Sequence, residues 1–434
     1  MFSTLSEFIT MAVSPYQTVD CCIDFLKEKG FTELPLTGQW ESLLPGGKYV
    51  INAYDTSAFA FVIGENVSPD GSLYAAAAHT DHPGFRIKPN AVMKENLYIK
   101  LNTEVYGGAI LYSWLDRPLS IAGRICLKNE NSFYPSTVLF DAGEPVVSIP
   151  SLAIHMNREV NKGIELNRQT QLSPLFSLKN SISAEKDSNI NDLFVQWLAR
   201  EIHVVPDNII NYDLSLYNAD KPQVFGTDRE FLLSPRLDNL TSVYALLQGI
   251  TQAKPEKGIA FAAFYDNEEV GSQTKQGADS MLTTIILQKI YASLGLTEVD
   301  RINAIMSGIF LSLDVAHGLH PNYSAKSDPT NTTTLGNGFA IKLNSSQRYA
   351  TDSKAIAFLL RLCESQNIPV QQFVNRSDGT PGGTLGSLTS SWLPALTIDL
   401  GVPILAMHSA CETMVAKDQE SLEQLIISFY RENR

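Results

Sequence analysis

Side chains able to bind a metal or move a proton recur at the ends of apolar runs: His79 with Asp81, Glu268 with Glu269, Asp314 and His408, with Asp238 on a further segment. Two imidazoles and several carboxylates suit a pair of divalent cations. Zinc is favoured by the histidine content, with manganese or cobalt as alternatives. A carboxylate can bridge two such ions about 3.5 to 4 Å apart, and Asp238 is the candidate bridge. Ions so placed lower the pKa of a shared water toward about 7 and polarise a substrate carbonyl. The water's proton needs an acceptor that can later protonate a leaving amine, a task for a carboxylate that is not itself a metal ligand. Glu268 takes that task and Glu269 the metal, because neighbouring side chains on an extended backbone point in different directions. Asp81 can accept the imidazole N–H that His79 does not use for metal, although a turn residue before Pro83 is the equal alternative. An isolated Glu-Glu pair is usually a solvated loop, and a lone Asp or His at a strand end is usually a cap. Agreement across five segments argues otherwise.

The elements that must position these groups are readable from apolar patterning. Ile259 to Tyr265 forms an unbroken apolar or small run ending at Asp266-Asn267-Glu268-Glu269, as expected of a buried strand with chemistry at its carboxyl end. Tyr49 to Ile51, Ala58 to Ile63 and Leu73 to Ala78 read as strands, the last running into His79. Gly308 to Leu313 leads to Asp314, and Pro403 to Met407 leads to His408. Helices are expected over Tyr16 to Lys29, Asn191 to His203, Leu240 to Ala253, Ser280 to Leu294, Asp352 to Gln366, Gly383 to Trp392 and Asp418 to Glu432. Alternating strands and helices imply an α/β fold with a mostly parallel sheet flanked by helices. Between Gly84 and Phe231 short β-like runs dominate, so a β-rich domain over residues 84–233 is expected as an insertion between catalytic-domain parts 1–83 and 234–434.

Composition excludes several classes. The chain has 434 residues, 44% hydrophobic content and a formal net charge of -13 without long charged runs, which argues against nucleic acid or an anionic membrane as the main partner. No stretch approaches the roughly 20 apolar residues needed to span a bilayer, and Met1 to Ala12 lacks a signal-peptide pattern, so a cytoplasmic location is expected. Five scattered cysteines fit reduced thiols rather than a disulfide framework.

HTDHPGF at 79–85, SWLDRPLSIAGR at 113–124, SPRLDN at 234–239, DNEEVGS at 266–272, LDVAHGLHPNY at 313–323, NRSDGTPGGTLG at 375–386 and DLGVPILAMHS at 399–409 occur in order. Together they closely resemble the aspartyl aminopeptidase family of dinuclear zinc metallopeptidases. The resemblance implies that residues 84–233 serve dimerisation, that dimers build a homo-oligomeric dodecamer, and that the substrates are peptides with an amino-terminal Asp or Glu. It implies one zinc on His79, Asp238 and Asp314, the other on Asp238, Glu269 and His408, with Glu268 as the base. It also implies substrate contacts from His317, Lys342, Tyr349 and His155, the last completing a neighbouring subunit's pocket. Lys342 is the candidate partner for an acidic side chain, since a fixed cation in a drying pocket discriminates charge. A surface lysine is its ordinary reading, and interface packing is the ordinary reading of His155.

The sequence departs from the family pattern at His82, Gly84, Gly382 and Ala410-Cys411-Glu412. None removes a proposed ligand, but the missing Arg after His408 bears on substrate preference. Two alternatives stand beside the leading one. A related dinuclear aminopeptidase or deacylase of broader specificity keeps the reaction class. A non-enzymatic scaffold would keep only the fold.

Overall fold

The computed structural model describes residues 2–41, 43–131, 133–178, 192–379 and 382–431. Residues 191 and 432, where two expected helices start and end, lie outside this set, as do residues 380–381 of the NRSDGTPGGTLG motif. The described chain divides into two compact units. The first comprises 1–81, 222–407 and 412–434, and the second 82–221 and 408–411.

The first unit is built on a nine-stranded sheet of mixed but mostly parallel pairing. In spatial order its strands are Thr32–Glu33, Lys48–Ala53, Ser57–Ile63, Ile259–Tyr265, Leu73–His79, Ile309–Leu313, Leu396–Gly401, Phe339–Leu343 and Val370–Val374. The four in the middle, 259–265, 73–79, 309–313 and 396–401, run parallel to one another. All residues of the strands 259–265, 73–79 and 309–313 are buried, which explains why they read as continuous apolar runs rather than alternating ones. Each sheet face has its own core. Ala76, Ala78, Phe264, Leu311 and Leu313 pack on one side against the helices Pro15–Glu28, Leu237–Thr251 and Ala416–Arg431, with Leu26, Val243 and Leu425 among the buried contacts. Ala75, Ala77, Phe261 and Phe310 pack on the other against the helix Leu282–Ser293 through Ile286 and Ile290.

Expected and observed elements differ at informative places. Pro403–Ile404 is a two-residue strand paired with Ala316–His317 in a separate small sheet. The long central strand in this region is instead Leu396–Gly401. Ser234 belongs to a three-stranded sheet with Glu412–Val415 and Gln223–Phe225, so the first unit resumes at Pro222. A helix at Glu298–Met306, with a capping box between Thr297 and Asp300, and a short one at Leu5–Met11 were not anticipated. None of the described helices is long and apolar enough to cross a membrane.

The second unit is a six-stranded antiparallel sheet in the order Ser136–Asp141, Leu119–Leu127, Ile209–Asn218, Gly84–Glu95, Tyr98–Tyr106 and Leu175–Leu178. One helix, Leu193–Glu201, covers its apolar face with Phe194 and Leu198 against Phe85, Ile125 and Leu214.

Candidate metal centre

Side chains alternate along a strand, so residues of one parity share a sheet face. His79 follows Ala75 and Ala77, Tyr265 follows Phe261 and Ala263, and Asp314 follows Phe310 and Ser312. All three therefore fall on the face opposite the larger core, at the carboxyl ends of adjacent parallel strands. Open α/β sheets form their crevices there.

His79 is buried, and its Nδ1 donates to the carbonyl oxygen of Asp81 at 3.0 Å. This hydrogen bond puts the ring's proton on Nδ1 and turns Nε2 toward Asp238 Oδ1 at 3.4 Å and Asp314 Oδ1 at 3.6 Å. Those separations are long for a hydrogen bond. They match two ligand atoms each roughly 2.0–2.2 Å from a shared tetrahedral ion, which lie about 3.4 Å apart. Glu268 and Glu269 place carboxylate oxygens within 4.8 Å of the same imidazole. Mixed N and O donors converging in this way fit a borderline divalent cation such as zinc.

Asp238 is delivered by an irregular helix start. Arg236 adopts a left-handed backbone with φ 59°, and Asp238 and Asn239 remain non-helical within the Leu237–Thr251 helix, joined by a cis peptide bond. Glu412 accepts from the Asp238 amide at 3.1 Å, while Asn239 Nδ2 donates to the Leu313 carbonyl at 2.8 Å. The helix is thereby tied to the Ile309–Leu313 strand beside the site.

Glu268 and Glu269 are not on extended backbone. Asn267 turns at φ 63° and Glu268–Val270 form a 3₁₀ turn, so the two carboxylates are separated by helical rotation rather than strand alternation. One acceptor explains the turn: the Asp81 carboxylate takes the amide of Glu268 on Oδ1 at 3.1 Å and that of Glu269 on Oδ2 at 3.2 Å. Its Oδ1 is also 3.4 Å from His79 Nδ1, farther than the Asp81 carbonyl. Asp81 thus orients the imidazole chiefly through its backbone, and its side chain organises the glutamate turn.

Among the protein's own groups the site is short of positive charge. Among the described residues of the first unit, five carboxylates (Asp81, Asp238, Glu268, Glu269 and Asp314) gather near the His79 imidazole and the Lys342 ammonium. Burial pushes Glu268 up to about 8, with Asp314 and Asp81 adding to the rise and His79 opposing it. Burial, then Asp238, raises Glu269 well above the ordinary carboxylate range. Burial disfavours the charged form of His79, but Asp238, Asp314 and Asp81 outweigh it and raise the imidazole. For Asp314 burial acts upward, and Lys342 with His79 outweighs it to give a lowered value. A divalent cation offsets this crowding.

Lys342 is no surface lysine: it is 2% exposed, and its Nζ donates to Asp314 Oδ2 and to the Val315 carbonyl, both at 3.2 Å. The ammonium lies 5.2 Å from the centre of the buried Tyr349 ring. His317, three residues beyond Asp314, is exposed and stands edge-on to Phe373 at 5.9 Å. It lines a cavity of about 250 Å³ with Phe373, Arg376, Lys326 and Met407. Two expected residues belong to the second unit. His155 is exposed between Ile154 and Met156, and His408 has a left-handed backbone at φ 67° with Nδ1 3.2 Å from the Gly108 carbonyl. Asp399 and Glu412 were not anticipated. An aspartate inside the apolar run of 396–401 was a visible signal, whereas nothing local marks Glu412.

The sequence matches the family model described as aminopeptidase I zinc metalloprotease (M18) over residues 8–430. The chain belongs to the M18 family. This M18 chain is 42% identical over 427 residues to a "Probable M18 family aminopeptidase 2" of Clostridium novyi, covering 98% of its own length and 97% of the relative. A protein of the same printed name from Ectopseudomonas mendocina is 35% identical over 426 residues, with the same coverages. In the cryo-EM structure of the Ape4 and Nbr1 complex, one chain superposes with a TM-score of 0.94 at 32% identity, covering 98% of the M18 chain and 84% of the other. An M18 aminopeptidase of Thermotoga maritima shares the fold, with a TM-score of 0.85 at 23% identity and coverages of 98% and 94%. Family membership makes the chain a zinc metallo-aminopeptidase.

Proposed function

We propose that the enzyme removes amino-terminal Asp or Glu from peptides, using two divalent ions and Glu268 as proton carrier. One observation carries the reading: within the first unit, His79, Asp81, Asp238, Glu268, Glu269 and Asp314 converge from four separate segments at the carboxyl edge of one sheet. His79, Asp238 and Asp314 would hold one ion. Asp238 and Glu269 would hold the other, with Asp238 shared. Bound there, such ions supply Lewis acidity to water and to the substrate carbonyl.

The remaining work falls to the chain's own groups. Glu268, raised by burial toward about 8, is suited to take a proton from the attacking water and hand it to the leaving amine near neutral pH. Asp81 fixes the turn that aims this carboxylate. Lys342, Tyr349 and His317 would contact the acidic side chain, while His155 would reach a neighbouring subunit's pocket. Leu152, Ile154 and Met156, each more than half exposed around His155, support a homo-oligomeric interface in the second unit, in keeping with a dodecamer of dimers.

The test is a metal titration into chelated enzyme with chromogenic Asp, Glu and Leu substrates. Zinc-dependent release from the Asp and Glu substrates, at least tenfold above Leu, is the expected result. Equal cleavage of Leu would reject the specificity and leave the reaction class. Absence of metal-dependent turnover on all three would reject the whole reading.

A further inference from the structure

The charge that holds Lys342 in the interior is itself built into the fold. Phe339–Leu343 pairs antiparallel with Leu396–Gly401, with Ala340 opposite Gly401 and Ile341 opposite Leu400. One step further along this register puts Lys342 across from Asp399, and directly opposed residues share a face with Cβ atoms about 5 Å apart. Asp399 is fully buried and its carboxylate has fixed partners. The Thr384 hydroxyl donates to Oδ1 and the Ala350 amide to Oδ2, each at 2.6 Å. The backbone leaves no slack. A Cβ on Gly386 would stand 2.3 Å from Asp399 Oδ1, and one on Gly401 would stand 1.9 Å from the Asp314 carbonyl oxygen. On its other side the ammonium binds Asp314 Oδ2, while Asp314 Oδ1 faces His79 Nε2.

We infer that Lys342 is a positioning residue for the metal ligand Asp314, and that Asp399 is the buried counter-charge holding the ammonium in place. The inference rests on the proposed role of Asp314 as a ligand. By occupying Oδ2, the lysine leaves Oδ1 directed at the position shared with His79. Rotation of the Asp314 carboxylate would break a charge-assisted hydrogen bond in a low-dielectric setting. Hydrogen-bond partners that orient metal-binding side chains typically contribute 10- to 100-fold to metal affinity. Two of the three ammonium donors are therefore committed before any substrate arrives.

Zinc alone, in competition with a chromophoric chelator and without substrate, tests this. Chelated wild type is compared with Lys342→Met and with the double variant Lys342→Met/Asp399→Asn. The double variant removes both buried charges and so remains assayable if the single variant fails to fold. Both variants are expected to lose 10- to 100-fold in zinc affinity at one site, with the second site within about threefold of wild type. Folded variants binding zinc within about twofold of wild type at both sites would overturn the inference. A wild type that binds no zinc would instead overturn the reading of Asp314 beneath it.

Discussion

Each carboxylate at the centre has a separate physical situation, and the assigned roles follow from those differences. Glu268 combines a raised proton affinity with a turn held by Asp81, so Glu268→Gln is expected to lower turnover by roughly 10²- to 10⁴-fold with zinc affinity and circular dichroism near wild type. Asp81→Ala leaves the amides of Glu268 and Glu269 without their carboxylate acceptor. It should destabilise the turn by about 1–3 kcal/mol and lower zinc affinity as well as turnover, read by calorimetric titration. Residue types were legible in the sequence because His79, Asp314 and the cluster from Asp266 to Glu269 follow buried, largely apolar runs. Their environments were not. Lys342 looks like an ordinary lysine until the fold places Asp314 beside it, and the 3₁₀ turn at Glu268 depends on an acceptor some 190 residues away in sequence.

At the scale of elements, the site depends on strands that stop together and on close contacts between neighbours. Gly401 has no room for a side chain against Asp314, so Gly401→Ala should cost about 1–3 kcal/mol in thermal or denaturant unfolding and weaken zinc binding by displacing Asp314. Asp418, in the first turn of Ala416–Arg431, accepts the amides of Gly336 and Gly338 at 2.7 Å each. Burial pushes its carboxyl up to about 6 from an ordinary 3.8. The folded state thus holds this proton more tightly than the unfolded chain. Wild-type stability relative to Asp418→Asn should be greatest below about pH 4 and decline as pH rises through 6, followed by denaturant unfolding across that range. Long periodic or uniformly apolar elements were readable from local pattern, as at 259–265 and in the helix 353–366. The strand expected from Pro403 to Met407 stops at Ile404, because an apolar run carries no mark of where pairing partners end. The Glu298–Met306 helix had its capping signal in Thr297 and Asp300, and at nine residues it is shorter than the helices expected from pattern at 15–28 and 353–366.

For the whole molecule, the acidic centre couples folding to metal. Glu268 takes up a proton more readily when folded, so in the chelated protein its contribution to stability, measured against Glu268→Gln by denaturant unfolding, should be present below about pH 4.5 and lost as pH climbs through 8. Zinc should flatten that loss, adding about 2.7 kcal/mol at a hundredfold excess over the dissociation constant, seen as a rise in unfolding temperature. Replacing the exposed Ile154 and Met156 by Glu is expected to break the proposed assembly into smaller species by light scattering while sparing zinc binding. The proposed reaction requires two ions sharing Asp238 at the carboxyl edge of the sheet. Anomalous diffraction at the zinc edge from zinc-loaded crystals addresses it most directly. Two peaks are expected within coordination distance of Asp238, one also contacting His79 and Asp314 and the other Glu269. Zinc peaks confined to the surface, with none beside Asp238, would rule out the two-ion centre.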